Sequence, residues 1–277
     1  MGANITGWEP EKRMHFDEIV GNYDRIRPEY PDKLFADVIN FMGPDKKKAL
    51  EIGAGTGKAT APFLKAGYDV TAVEIGENMA EFLREKFKEC TNFNVIVSAF
   101  ESAVLDESSY DLIYAGSAFH WVNAEIGCPK VFNLLKSGGV FALFRYNFFA
   151  THNKLLDDEI HTVYNKYYFS YYTSKSRAPR YRRTHDEFKE SSEILKNYGF
   201  EDLKIYGFND VLMNFYDVTW TLDASGYIEL LDTFADHRSL PEENREALYA
   251  GIKETILKHG GYITETDVFQ LYMGRKL

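Results

Sequence analysis

The run Glu51-Ile52-Gly53-Ala54-Gly55-Thr56-Gly57 constrains this chain more than any other feature. It follows Lys48–Ile52, a short apolar segment that reads as a strand, and precedes Ala59–Lys65, which reads as a helix closed by Gly67. Alternating glycines let the backbone turn tightly and approach a ligand closely. N–H groups at the start of the next helix then face that ligand. Three glycines exceed what a plain strand-to-helix turn requires. The following strand, Asp69–Glu74, ends on a carboxylate, which can accept hydrogen bonds from both hydroxyls of a ribose. The spacing predicts a ligand that contains a nucleoside.

Two rival loops are excluded by counting. A phosphate-binding P-loop needs G-x-x-x-x-G-K-[ST]. Here three residues separate Gly53 from Gly57, and Ala59 follows Lys58 where a hydroxyl is required. A dinucleotide loop needs G-x-G-x-x-G. Its third glycine would fall on Lys58 or on Thr60, depending on the start. The pattern is E-x-G-x-G-x-G.

Around this loop strands and helices alternate. Glu77–Lys88 is an amphipathic helix, with Met79, Phe82, Leu83 and Phe87 on one side. Strands are predicted at Phe93–Val97, Asp111–Ala115 and Val140–Tyr146, with a short helix at Lys130–Leu135 stopped by Ser137-Gly138-Gly139. Such alternation implies a parallel sheet covered by helices on both faces. Before it, Phe16, Tyr23 and Tyr30 punctuate a polar arm that Pro28 and Pro31 keep from forming a long helix, and a helix follows over Asp32–Phe41. After Tyr146 the pattern changes. A helix crowded with Tyr and Phe is predicted over Leu155–Tyr172, a basic loop over Lys175–Arg183, and a helix over Asp186–Tyr198. Extended structure is predicted over Lys204–Tyr216 and a last strand over Thr266–Met273. Helices at Ala224–Phe234 and Glu242–Lys258 form an insertion between the last two strands, placed to act as a lid. Ser239-Leu240-Pro241-Glu242 has capping-box spacing and marks the start of the second. The organisation expected is an arm and cap helix over 1–45, a ligand-binding core over 46–150, and the rest of the sheet with its lid over 151–277, all one structural domain.

Charge narrows the partners. Across 277 residues, 42 acidic side chains face 32 basic ones, for a formal charge of −10. A nucleic acid is repelled overall, so none is expected as a partner. Cys90 and Cys128 lack metal-ligand spacing, so neither a zinc site nor a disulfide framework is expected. With no apolar leader and no run of transmembrane length, a cytoplasmic protein without a membrane partner is expected, monomeric or homodimeric. The aromatic share of 16% either fills the core or walls a pocket.

The glycine loop resembles motif I of the class I S-adenosylmethionine-dependent methyltransferases. Glu74 matches that family's ribose-binding acid, and Ser98-Ala99-Phe100-Glu101 matches its adenine-contacting segment. Asp111 to Trp121 resembles the fourth-strand motif, and Leu134-Leu135-Lys136-Ser137-Gly138-Gly139 resembles the turn before strand five. Tyr23-x-x-x-Arg27-Pro28-x-Tyr30-Pro31, together with Ala118-Phe119-His120-Trp121, resembles the small-molecule subgroup that includes trans-aconitate methyltransferase. One stretch departs: relatives often carry "LP-F" where this chain has Ser102-Ala103-Val104-Leu105. The resemblance implies a doubly wound, mostly parallel seven-stranded α/β sheet with an antiparallel last strand. It implies S-adenosylmethionine as cofactor and a small-molecule methyl acceptor, modified at O or N.

The site residues follow from both readings. Tyr23, Arg27, Glu51, Gly53, Ala54, Gly55, Thr56, Gly57, Glu74, Ile75, Met79, Ala99, Phe100, Glu101, Ser117 and Phe119 are assigned to the cofactor. The resemblance puts Glu51 near the ligand's amino group, and Met79 either in the core or on adenine. Tyr30, His120, Trp121 and Arg145 are assigned to the acceptor, with His120 as candidate general base and Arg145 as clamp for a carboxylate. Trp121 is a wall or a cation–π partner. The rival readings are a cofactor-binding protein without turnover, a protein-directed methyltransferase, and a nucleotide-dependent oxidoreductase, which the loop spacing opposes.

Overall fold

A computed structural model describes residues 17, 20–45, 47–147, 151–172 and 202–277. The basic loop over Lys175–Arg183 and the helix over Asp186–Tyr198 lie outside these residues. The sheet has seven strands: β1 (Lys48–Ile52), β2 (Asp69–Glu74), β3 (Phe93–Val97), β4 (Tyr110–Gly116), β5 (Leu135–Asn147), β6 (Phe208–Asp223) and β7 (Tyr262–Lys276). Their order is β3-β2-β1-β4-β5-β7-β6. β1 to β5 pair in parallel, and β7 runs antiparallel to both of its neighbours, β5 and β6. The order reverses between β1 and β4. Connections from these strands leave in opposite directions there, which opens a crevice at their C-terminal ends.

Parallel strands are buried on both faces, so they read as nearly continuous apolar runs. β4 is buried from Tyr110 to Ala115. Leu50, Ile52, Ile113, Ala115, Phe141 and Leu143 point to one face, against Val131 and Leu134 of the helix Ala124–Leu134. Ala49, Leu112, Tyr114, Val140 and Ala142 point to the other, against Leu34, Val38 and Phe63. Phe63 anchors this second face. Its ring centroid lies 5.4 Å from Phe35, 5.4 Å from Tyr68 and 4.4 Å from Tyr114.

The lid sits where the sequence places it, between β6 and β7. Its helices Ala224–Leu231, Ala235–Arg238 and Glu242–Lys258 pack with Lys154–Tyr164 around Leu156, Ile160, Tyr227, Leu248 and Ile252. Asp223 starts the first of these by accepting a hydrogen bond from Gly226 N at 2.7 Å.

Several boundaries differ from expectation. The extended run over Lys204–Tyr216 begins instead as a short helix, Asp202–Ile205, and the chain turns at Gly207 (φ 91°) before β6. β6 and β7 run on to Asp223 and Tyr262, because Val218–Asp223 pairs with Tyr262–Asp267 beyond the core sheet. The helix expected at Lys130 begins at Ala124, where Asn123 caps it through Glu125 N. The capping box at Ser239 does not form. Ser239 Oγ donates to Ala235 O, and Pro241 stands at the N-cap. The aromatic helix over Leu155–Tyr172 breaks its α-helical pattern over Asn165–Phe169, where a π-helical turn intervenes. Among the described residues, no helix is long and apolar enough to cross a membrane.

Phe63→Ala removes a fully buried ring between helices and sheet, and is expected to cost about 3–5 kcal/mol. Chemical denaturation checks this. A loss below about 1 kcal/mol would show that the second face does not depend on that ring.

Candidate active site

All three loop glycines take left-handed backbone, with φ of 67° at Gly53, 55° at Gly55 and 81° at Gly57. Their surroundings differ. A Cβ on Gly53 would lie 2.6 Å from Ala118 Cβ, and one on Gly57 would lie 2.6 Å from the Phe87 ring. A Cβ on Gly55 would meet nothing within 4 Å. Gly53 thus lets the turn after β4 come close, Gly57 lets the helix Glu77–Lys86 pack, and Gly55 bares backbone to open space.

That space is a cleft of about 780 Å³ at the strand reversal. Glu74 lines it and ties it together. Glu74 Oε2 accepts from Gly55 N at 2.8 Å, and Oε1 accepts from Gly76 N at 3.0 Å. Each carboxylate oxygen keeps a second lone pair. Burial raises the Glu74 pKa above its ordinary value, and the amide bonds oppose the rise. Asp17 lies beside it. Its carboxylate accepts from Met79 N at 2.8 Å and from Asn78 N at 3.3 Å, capping the helix after β2.

Of the residues assigned to a cofactor, Tyr23, Gly53, Gly55, Glu74, Ile75, Met79, Ala99, Phe100 and Ser117 line this cleft. Ala54, Thr56 and Gly57 lie behind the loop, where Ala54 packs on Leu83 and Phe87. Phe119 is core, edge-on to Phe141. Glu101 accepts from Asn123 N at 3.2 Å in the adjoining turn. Glu51 points the other way. Its Oε2 accepts from Thr60 Oγ1 at 2.5 Å and from Tyr114 OH at 2.9 Å. Strand alternation explains this: Ile52 faces the cleft, so Glu51 shares the opposite face with Ala49. Desolvation pushes its pKa up to about 8 despite those two donors.

Tyr23, Ser117 and Trp121 also border a second chamber of about 860 Å³. His120, Arg145, Tyr146 and Arg27 line it with Phe234, Ala235 and Asp236 from the lid. Arg27 therefore belongs to this chamber, outside the cleft that the sequence reading assigned to it. It joins three elements. Nη1 donates to Tyr146 OH at 2.8 Å, Nη2 donates to Thr233 O at 2.6 Å, and the guanidinium lies 4.1 Å from the Phe234 ring centroid. Tyr30 is set behind the wall. Its OH donates to Ser117 Oγ at 2.9 Å and holds a residue with φ of 53°. His120 keeps exposed ring surface, but within a recess crowded by protein. That crowding, followed by the Arg145 charge, lowers its pKa from 6.5 to about 4. Asp17, Tyr146, Phe234 and Asp236 were missed by the sequence reading. Only Tyr146 carried a local signal, at the end of a predicted strand.

Residues 50–143 match the methyltransferase domain family. The matched stretch holds the glycine loop and Glu74, and there the chain resembles the class I S-adenosylmethionine-dependent methyltransferases. It is 32% identical over 131 residues to an uncharacterised methyltransferase of Mycobacterium bovis, covering 47% of this chain and 51% of that protein. The chain thus spans about half the length of the first curated relatives it matches. It is 29% identical over 228 residues to a malonyl-[acyl-carrier protein] O-methyltransferase of Acetivibrio thermocellus, covering 76% of this chain and 75% of that one. A structure from Anaeromyxobacter dehalogenans, described as a type II methyltransferase, shares the fold. Its TM-score is 0.61 at 18% identity, over 91% of this chain and 98% of that one.

The lining of the cleft suits an adenosyl sulfonium. Two buried carboxylates, Asp17 and Glu74, stand beside the bare Gly55 backbone. They suit a cation that also carries hydroxyls, and they oppose a pyrophosphate.

Glu51 makes native stability pH-dependent. Its unfolded form ionises near 4.5 and its folded form near 8, so the native state loses relative stability as pH rises through that window. Glu51→Gln keeps an oxygen for Thr60 and Tyr114 and cannot ionise. Its Tm relative to the parent is expected to climb between those values in thermal melts. A difference that stays flat with pH would contradict the assignment.

Proposed function

We propose that this chain transfers the methyl group of S-adenosylmethionine to the O or N of a small-molecule acceptor. The observation that carries this reading is the pair of joined chambers. An acidic cleft on the glycine loop meets a chamber holding Arg27, Arg145 and His120, and Tyr23, Ser117 and Trp121 border both. Membership in the small-molecule subgroup rests on Tyr23 to Pro31 and on Ala118 to Trp121. The malonyl-[acyl-carrier protein] O-methyltransferase supports oxygen as one acceptor atom.

S-adenosylmethionine, when bound, supplies a methyl carbon on a sulfonium already activated for displacement. The chain's own residues then align the acceptor and keep water out, effects together worth roughly 7–11 kcal/mol. Glu74 holds the sugar hydroxyls. Tyr23 and Trp121 wall the point where the chambers meet. His120 stays neutral at physiological pH and can take a proton from a hydroxyl or amine acceptor, and a carboxylate acceptor needs no such base.

Release of S-adenosylhomocysteine with a methylated small molecule tests the reading. Binding without release would favour a cofactor-holding protein, and transfer only to polypeptide would favour a protein-directed enzyme. Glu74→Ala is expected to weaken binding of S-adenosylhomocysteine by about tenfold or more, measured by calorimetry on folded protein. Unchanged affinity would remove Glu74 from the site. His120→Ala is expected to lower kcat by about 10²-fold on a hydroxyl or amine acceptor while sparing cofactor affinity. Wild-type values for both would make His120 structural.

A further inference from the structure

A third cavity lies under the lid. It is a pocket open to solvent, of about 580 Å³, between Tyr164, Tyr227, Leu230, Leu231 and Phe234, with Asp236 and His237 at one side. Phe234 and Asp236 also line the acceptor chamber, so the two volumes share a wall. The polar side chains of its described lining have partners, Tyr227 OH donating to Glu265 Oε1 at 3.4 Å. His237 Nε2 meets Tyr164 OH at 2.9 Å, and its Nδ1 meets Asp236 Oδ1 at 3.0 Å. Among the described residues the remaining lining is aliphatic and aromatic, which suits an apolar occupant.

The chamber next door has the opposite character. Arg27 is half-buried there, yet its hydrogen bonds go to a phenol and a carbonyl, and its buried Nε makes none. Among the described residues no carboxylate pairs with it. A guanidinium partly withdrawn from water without an anion has unused donor capacity, which an acceptor carboxylate would take up. Arg145 lines the same chamber and adds a second positive charge. Asp236, held ionised by His237 and Tyr168, stands at the boundary and repels a second carboxylate further along the acceptor.

Resting on the methyltransferase reading above, we propose that the acceptor is an amphipathic monocarboxylic acid. Its carboxylate occupies the chamber of Arg27 and Arg145, and its apolar tail extends past Phe234 into the lid cavity. One carboxylate oxygen forms the new bond to the methyl carbon as the carbon–sulfur bond breaks. The electron pair returns to sulfur, the product is a methyl ester, and no proton moves.

The full chain is assayed with S-adenosylmethionine against acetate, hexanoate, decanoate, decanol, decylamine and trans-aconitate, with mass spectrometry of the product. The expected kcat/KM rises about fourfold per methylene while the tail is being buried. Decanol, decylamine and trans-aconitate are expected to fall at least about tenfold below decanoate. Leu231→Trp fills the cavity and is expected to remove the advantage of decanoate over acetate while S-adenosylhomocysteine still binds. Should that variant not fold, calorimetry of decanoate on parent protein saturated with S-adenosylhomocysteine decides the matter. Saturable binding supports the proposal, and its absence overturns it. A flat chain-length series, or preference for trans-aconitate or decylamine, overturns this inference and leaves the methyltransferase reading intact. Failure to bind S-adenosylmethionine or its product defeats both.

Discussion

One carboxylate organises the site. Glu74 ends β2 and accepts amide hydrogen bonds from Gly55 in the neighbouring loop and Gly76 in its own turn. Those bonds fasten together the loops that follow β1 and β2. They require Gly55 to turn its N–H toward β2, which it does with a positive φ. Without its backbone amide donors, a carboxylate this buried would favour its neutral form still more. With them, its remaining lone pairs are fixed in position beside the cleft. Preorganisation of this kind lowers the ordering cost of binding.

The second chamber depends on a different tie. Arg27, from the arm before the sheet, reaches a tyrosine on β5 and a carbonyl in the lid. Three segments far apart in sequence thereby close around one volume. The guanidinium stacks on Phe234 from the lid, so the positive wall and the apolar entrance to the lid cavity come from adjoining residues. Charge and shape in the chamber are therefore set together by whether arm and lid meet.

Local features of the fold were legible in the sequence. β1, β2 and β4 are largely buried, so each reads as an apolar run, while the edge strand β3 is only half-buried. The loop and Glu74 are close in sequence and obey fixed spacing. What escaped the reading depended on distant partners. The outer halves of β6 and β7 carry Thr219, Thr221, Thr264 and Thr266, polar residues whose hydroxyls pair across the two strands, a contact between segments over forty residues apart. Asp17 meets the helix Glu77–Lys86 across about sixty residues of chain. Glu51 is instructive in another way. The family resemblance drew it toward the ligand, yet the alternation of β1 assigns Ile52 to the cleft and Glu51 to the buried face with Tyr114. Period-two geometry outranked the motif.

The most direct measurement is isothermal titration of the purified chain with S-adenosylhomocysteine, with NAD as the parallel control. The account requires saturable heat at one site per chain for the first ligand and none for the second. No heat with S-adenosylhomocysteine, or uptake of NAD in its place, would contradict the claim that the Gly53–Gly57 loop and Glu74 cradle an adenosyl sulfonium.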